Sequence, residues 1–326
     1  MPQMQVETAR FALKQPFVIT GHTFTEITPV WVTLERDGYR GRGEAIGVYY
    51  TGETTESMVE QLESVRAEVE AGATRESIQT LLPPGGARNA LDCAYWDLEC
   101  KTSGRSIWEL LDISPHELTT VATIGIGTAQ EMAQQARDYA DFSKLKVKLD
   151  DEQPREKLRA IRDARPDATV VIDVNQGWNR EQLEAFLPSL AELSVVMVEQ
   201  PLPRGADAQV EGLGSPIPIG ADESILDLEE YRQIGQLYDV INIKLDKCGG
   251  LTEGLAIAEA ATADGKSVMV GNMTGTSLSM APSYVVGQWS EFVDIDGPVL
   301  LAEDVPNGLD YREGGLVSLP DAILWG

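Results

Sequence analysis

The sequence predicts an α/β protein, a closed (β/α) barrel preceded by a smaller α+β domain. Two patterns predict it. From about residue 118 onward, eight short β-branched runs alternate with helical segments, at the spacing of a strand, a helix and two loops. Before that point the chain reads as antiparallel strands followed by helices. Eight parallel units in succession favour a closed barrel over a doubly wound sheet. With 326 residues, 43% of them hydrophobic, the chain is long enough to give both parts a core.

Taken in order, "PVWVTLERDG" at 29–38 alternates apolar and polar residues, turns at "RDGYRGRGE" and resumes, which reads as a meander of antiparallel strands. From about residue 55 the spacing becomes helical. Met58, Leu62, Val65 and Val69 form one stripe and Gly72 closes it. A second helix is expected in "ARNALDCAYWDLECKTSG", after "LLPPGG". Pro115 and its polar neighbours mark a boundary, so residues 1–117 are expected to form a capping domain and 118–298 the barrel. The barrel runs are "TTVATIGIG", "KLKVKLD", "ATVVIDVN", "SVVMVEQ", "IPIGADES", "VINIKLD", "SVMVGN" and "EFVDID". The tail, 299–326, has no helix of barrel type and is expected to fold back on the first domain.

Composition excludes several functions. Lys+Arg total 26 against Asp+Glu 52, a formal net charge of -26 that repels nucleic acid and anionic lipid alike. An acidic surface of this kind is also compatible with a saline habitat. No apolar run approaches the span of a bilayer, and the N-terminus lacks the basic start and apolar middle of a signal peptide, so a cytoplasmic protein is expected. Cys93, Cys100 and Cys248 form no CxxC pair and read as small buried side chains. With only His22 and His116 present, neither histidine-rich zinc chemistry nor a His-based triad is supported. Acid and base work must fall to other groups.

In a barrel of this kind the C-terminal strand ends carry the site, and here they carry charge repeatedly. Asp173 and Asn175, Glu199, Asp222 and Glu223, Lys244 and Asp246, and Asp294 and Asp296 all stand at such ends. Alternation along a strand puts Lys146 and Lys148 on one face, and likewise Lys244 with Asp246 and Asp294 with Asp296. Asp173, Glu199 and Asp222 come from three successive strands and so are expected as neighbours on the rim. Three hard oxygen ligands without histidine or cysteine suit Mg²⁺. Taken singly, each would be read as a solvated loop acid or a lysine's partner.

Lys148 on the second strand and Lys244 on the sixth lie across the mouth from each other, a two-base geometry. A nearby dication and the like charge of Lys146 would depress a lysine from its ordinary value of about 10.4 toward neutrality. Lys144, nearer the strand start, is expected at the rim or bottom. The plainer alternative is that these lysines only neutralise the acids. A metal flanked by two opposed lysines suits removal of a proton α to a carboxylate, with return of a proton to the other face.

These residues resemble the enolase superfamily, in its muconate lactonizing enzyme-like subgroup, and within it the L-Ala-D/L-Glu epimerase-like dipeptide epimerases. The likeness covers nearly the whole chain: "PFVI", "ARNALDCAYWDLE", "LKVKLD", "DVN", "VEQPLP", "ADES", "NIKLDKCGGLTEGL" and "DIDGP". It implies a modified (β/α)7β barrel with an α+β cap completed by the tail, and Mg²⁺ as cofactor on Asp173, Glu199 and Asp222. It also implies Lys148 and Lys244 as paired acid/base catalysts, for the L and D faces respectively. Lys146 would contact the substrate carboxylate. Asp294 and Asp296 would hold the ammonium of a dipeptide. Thr123, Asn272 and Met273 are further expected substrate contacts, and Asn175, Glu223 and Asp246 supporting residues. Members of the family often assemble, so a homo-oligomer is compatible with the resemblance.

One departure bears on specificity. Members that prefer glutamate carry an arginine in the loop after "PFVI", where this chain reads "TGHTFTE" with Phe24 in that place. The second cap loop, "GVYYTGE", adds Tyr49 and Tyr50. A neutral, apolar or aromatic side chain is therefore expected at the substrate's C-terminal residue. Two other readings stay open at this stage: an o-succinylbenzoate synthase-like elimination or cycloisomerisation, and a non-catalytic metal-dependent peptide-binding protein.

Overall fold

The structure, a computed structural model, describes residues 1–326. Five strands open the chain: β1 (Gln3–Thr8), β2 (Phe11–Ile19), β3 (His22–Ile27), β4 (Val30–Arg36) and β5 (Tyr39–Ala45). The antiparallel pair expected on either side of the "RDGYRGRGE" turn is β4 with β5, but the five strands do not follow one another as a meander. β1 skips to β4, which pairs with β5, while β2 and β3 stand apart as a hairpin. The register explains the skip, for it sets Met4 opposite Leu34 and Val6 opposite Val32 and so assembles one apolar face. Asp37 and Gly38, both at positive φ, make the two-residue turn between β4 and β5.

Five helices follow: α1 (Thr55–Ser64), α2 (Arg66–Glu70), α3 (Arg75–Leu81), α4 (Gly86–Ser103) and α5 (Ile107–Leu111). The single helix expected at 55–72 is broken at Val65, whose φ of -107° and ψ of 5° leave the helical region. Its stripe of Met58, Leu62, Val65 and Val69 is nonetheless buried. The unexpected α3 is one short capped segment, with Thr74 accepting from the Ser77 N–H. α4 lies directly on β5. A Cβ on Gly43 would come within 2.1 Å of the Ala90 carbonyl oxygen, which is why "GRG" occupies that strand.

The barrel follows β6 (Leu118–Thr119). Its eight strands and their connections are β7 (Ala122–Ile124), α6 (Ala129–Asp138), β8 (Lys144–Lys148), α7 (Pro154–Ala164), β9 (Thr169–Asp173), α8 (Arg180–Glu192) and β10 (Val195–Glu199). They continue with β11 (Ile219–Ala221), α9 (Leu228–Ile234), β12 (Val240–Ile243), α10 (Leu245–Cys248), α11 (Leu251–Ala263), β13 (Ser267–Val270), α12 (Ser277–Gly287) and β14 (Phe292–Val293). Each strand pairs in parallel with the next. The ring closes where the Val121 N–H donates to the Val293 carbonyl at 3.0 Å. Between β10 and β11 the connection is a 3-10 turn (Asp207–Val210) rather than a helix. "PLPRGADAQVEGLGSP" holds too many prolines and glycines for a longer one. After β14 only the single turn α13 (Gly297–Leu300) appears, giving the modified (β/α)7β form.

Inside the barrel Val121, Val171, Met197, Val240 and Met269 pack together. In the tail, β15 (Tyr311–Arg312) pairs with β16 (Leu316–Val317), and β16 pairs with β6. Beyond them Trp325 is buried and its Nε1 donates to the Cys93 carbonyl on α4 at 3.0 Å, so the last residues do reach the first part of the chain. The three cysteines are buried and free. No helix is long and apolar enough to cross a membrane.

Candidate active site

Three carboxylates converge at the C-terminal ends of adjacent strands. Asp173 closes β9, Glu199 closes β10 and Asp222 follows β11, and one oxygen of each lies within 4.8 Å of the others, all fully buried. The strands aim them inward because each is the last residue before the chain turns out of the sheet, on the face opposite its apolar neighbours.

Lysines surround this cluster. Lys148 Nζ donates to Asp173 Oδ2 at 2.6 Å and to Asn175 Oδ1 at 3.1 Å, while Lys244 Nζ donates to Asp222 Oδ2 at 2.6 Å. Lys146, pointing the same way as Lys148, has its Nζ 2.8 Å from Asp294 Oδ2, 2.8 Å from Glu199 Oε2 and 3.1 Å from Asp173 Oδ2. Lys146 and Lys148 therefore share one oxygen of Asp173. Lys144 lies among strand-start residues at the opposite mouth of the barrel, with Thr169 and Ser267.

Among the protein's own charges, the acids outweigh burial at two of these lysines. Burial lowers Lys244, but the Asp222 charge overcomes it, and the group is raised. Burial likewise opposes the charge on Lys146, and Asp294, Glu199 and Asp173 together hold it well above its ordinary value. Burial raises Asp173, yet Lys148 and Lys146 outweigh it and bring it down to about 2. Asp222 is held low in the same manner by Lys244 and Lys247. Glu199 goes the other way, raised by burial and then by the Asp173 charge. A dication on these carboxylates would push the lysines down, the sense the sequence reading anticipated.

Asp294 and Asp296 both face the cavity although β14 ends at Val293. Asp294 Oδ1 accepts from Asn272 Nδ2 at 3.0 Å and Asp296 Oδ2 accepts from the Thr123 N–H at 2.6 Å. Burial and then the Asp294 charge push Asp296 up to about 8, whereas Lys146 overrides burial to lower Asp294. Thr123, Asn272, Met273 and Phe24 line the same cavity of about 50 Å³, together with Tyr49, Tyr50 and the three lysines 146, 148 and 244. Phe24 stands on β3 of the hairpin, opposite Phe17, in an aromatic group, its ring centroid 4.3 Å from His22 and 5.6 Å from Tyr49.

Of two residues expected in support, Glu223 lies at the site and Asp246 departs from its sequence placement. Glu223 is buried beside the site and accepts from Asn175 Nδ2 at 3.1 Å. Asp246 does not share the face of Lys244, because α10 begins at Leu245 and ends the strand alternation. Its Oδ1 accepts instead from the Ile46 N–H and from Asn89 Nδ2, both at 2.9 Å.

Sequence reasoning missed four residues that build the cluster. Lys247 Nζ donates to Asp222 Oδ1 at 2.7 Å, to the Asp222 carbonyl at 2.6 Å and to the Asn242 carbonyl at 3.0 Å, which uses all three of its donors. Asn242 Nδ2 donates to Glu199 Oε1 at 2.6 Å. Gln200 Oε1 accepts from the Asp222 and Ser224 N–H groups and fixes that turn. Gly271 leaves room for Lys244, since a Cβ there would stand 2.5 Å from Asn242 Oδ1 and 3.0 Å from Lys244 Cε. The even spacing of Asn242 and Lys244 in "NIKLD" was the available signal for the second of these.

A divalent cation fits the donor set. The acids are hard oxygen ligands, close together and buried, and Glu199 Oε2 makes no directed hydrogen bond despite the nearby Lys146.

An inward ring of acids and lysines at the strand ends, under a cap, defines a barrel enzyme of the enolase type. The family model described as mandelate racemase / muconate lactonizing enzyme, N-terminal domain, matches residues 3–112, and the one described as enolase C-terminal domain-like matches 128–323. The chain belongs to this family, among its dipeptide epimerase-like members, and is an isomerase of the racemase and epimerase class. It is 41% identical over 319 residues to the L-Ala-D/L-Glu epimerase of Escherichia coli (strain K12), covering 97% of this chain and 99% of that one. A crystal structure of an enolase family member from Agrobacterium tumefaciens, with homology to dipeptide epimerases and with bound sodium and L-Ala-L-Glu, is 41% identical with a TM-score of 0.97 over 100% of both chains. The dipeptide epimerase of Methylococcus capsulatus, solved with Mg and L-Arg-D-Lys, is 31% identical with a TM-score of 0.90, over 97% of this chain and 96% of that one.

Proposed function

We propose that this protein is a Mg²⁺-dependent dipeptide epimerase that inverts the α-carbon of the substrate's C-terminal residue by two-base proton transfer. The observation that carries the reading is the placement of Lys148 and Lys244 on opposite sides of one buried carboxylate cluster, each bonded to a different member of it. Asp173, Glu199 and Asp222 would hold the metal, and Mg²⁺ bound there would stabilise negative charge developing on the substrate carboxylate.

Lys148 takes the α-proton from one face and Lys244 returns one to the other, with the roles reversed for the opposite epimer. Lys148 serves the L form and Lys244 the D form. Lys146 supplies fixed positive charge toward the substrate carboxylate, and its burial keeps water from screening that charge. Asp294 and Asp296 receive the substrate ammonium, with Asn272 and the Thr123 N–H holding the two carboxyl groups in place. The cap, residues 1–117 with the tail 299–326, closes over the barrel of 118–298.

The side chain of the inverted residue is neutral, apolar or aromatic. Phe24, Tyr49 and Tyr50 cover the cavity, and its only cations are the three lysines at the cluster. A distal carboxylate would find no partner on that side. Initial rates with L-Ala-L-Phe, L-Ala-L-Leu and L-Ala-L-Glu, followed by chiral chromatography, test this. Efficient turnover of the glutamate dipeptide alone would refute the specificity while leaving the chemistry intact.

A further inference from the structure

We propose that Asn175, itself held by Glu223, is a positioning residue that fixes the Lys148 ammonium toward its face of the substrate. The inference rests on the two-lysine reading above and adds an asymmetry to it. Asn175 stands at a φ of 46°, in the left-handed region that asparagine tolerates better than most residues. Its backbone N–H donates to Asp173 Oδ1 at 3.0 Å, which ties the turn to the carboxylate that Lys148 contacts. From there the amide reaches both ways. Oδ1 accepts from Lys148 Nζ at 3.1 Å, and Nδ2 donates to Glu223 Oε1 at 3.1 Å.

The lysine leaves the amide only one orientation, because an ammonium can only donate, so Oδ1 faces Lys148 and Nδ2 faces Glu223. Glu223 is 1% exposed, and the bond from Asn175 is the only hydrogen bond its side chain makes. Its other oxygen, Oε2, is buried without a partner. A carboxylate so placed is costly for the fold and serves to hold its one donor in place. Lys244 has no equivalent amide, since its Nζ bonds to Asp222 alone. The arrangement therefore steadies one lysine and not the other.

The test is α-deuteron incorporation by the Mg²⁺-loaded protein in D₂O, with each epimer of an accepted dipeptide supplied separately and the remaining substrate analysed by mass spectrometry. Asn175→Gly keeps the left-handed backbone and deletes the amide. It is expected to slow exchange of the epimer facing Lys148 at least tenfold, while exchange of the opposite epimer through Lys244 stays within about threefold. Glu223→Leu should follow the same pattern, and Glu223→Gln, which keeps the acceptor oxygen, should restore near-normal exchange on both faces. Equal loss on both faces in Asn175→Gly and Glu223→Leu, or no loss in either, overturns the positioning role. No exchange of either epimer by the unaltered protein overturns the two-base reading itself, and this inference with it.

Discussion

The Asp246 carboxylate accepts a hydrogen bond from the Ile46 N–H at 2.9 Å, joining the turn after Lys244 to the cap loop that carries Tyr49 and Tyr50. Asn89 Nδ2 donates to the same oxygen. One buried carboxyl thus connects a proposed catalytic lysine's turn to the aromatic cover of the cavity.

This contact predicts a pH dependence of stability. Burial pushes Asp246 up to about 7, above the unfolded value near 4. Between those values the folded protein keeps a proton that the unfolded chain has released, so the group's contribution falls as pH rises through that window and is constant above it. Glu44 and Asp92, each raised by burial to about 6, act in the same sense. Asp246→Asn keeps an acceptor for both donors and removes the titration. Thermal melts should show the variant gaining on the wild type by several degrees between pH 5 and pH 8, and an unchanged difference would contradict the assignment.

Removing either lysine should stop inversion. Lys148→Ala and Lys244→Ala are each expected to lower kcat by about 10²- to 10⁴-fold, the usual worth of a positioned acid or base. Each variant should still bind Mg²⁺. Optical rotation with a purified dipeptide measures the first effect and calorimetric titration the second.

Lys247 offers a test of the cluster's support. Two of its bonds hold Asp222, at the carbonyl and at the carboxylate oxygen that Lys244 does not use, and the third anchors it to the Asn242 carbonyl. Lys247→Met should weaken Mg²⁺ binding by about 10- to 100-fold, as loss of an outer partner of a metal ligand usually does. Chelation of the metal from the unaltered protein should abolish turnover, and added Mg²⁺ should restore it and raise the melting temperature.

Specificity should follow Phe24. Phe24→Arg places a cation on the hairpin strand that lines the cavity, and kcat/KM for L-Ala-L-Glu relative to L-Ala-L-Phe is expected to rise at least tenfold. An unchanged ratio would mean that this residue does not face the distal side chain.

The tail should contribute to stability through Trp325, which is 1% exposed and bonded to the Cys93 carbonyl. Trp325→Ala is expected to cost about 3–5 kcal/mol by denaturant titration, the range for a fully buried large side chain. A cost below 1 kcal/mol would show that the tail is dispensable.

The barrel was legible because its strands are local β-branched runs whose polar endings stand out against apolar neighbours. Asp173, Glu199 and Asp222 could be placed side by side from strand order alone. The β1–β4 pairing was not legible, because it depends on matching apolar faces across the intervening hairpin. Asp246 was misplaced because no feature of "KLDKCGG" marks Leu245 as the start of a helical turn. Gln200 and Lys247 are polar side chains whose main partner, Asp222, lies more than twenty residues away along the chain, and their spacing does not announce it, whereas the even spacing of Asn242 and Lys244 was a signal for Asn242. The missing fourth helix was readable in retrospect from the prolines and glycines of 201–216.

The central claim is two-base inversion at the α-carbon, and the most direct measurement is mass spectrometry with chiral separation of pooled L-L and L-D dipeptides incubated with the protein and Mg²⁺ in D₂O. The account predicts that accepted dipeptides gain one deuteron at the C-terminal α-carbon as they invert, with apolar and aromatic residues leading. No deuteron gain and no inversion anywhere in the pool would contradict it.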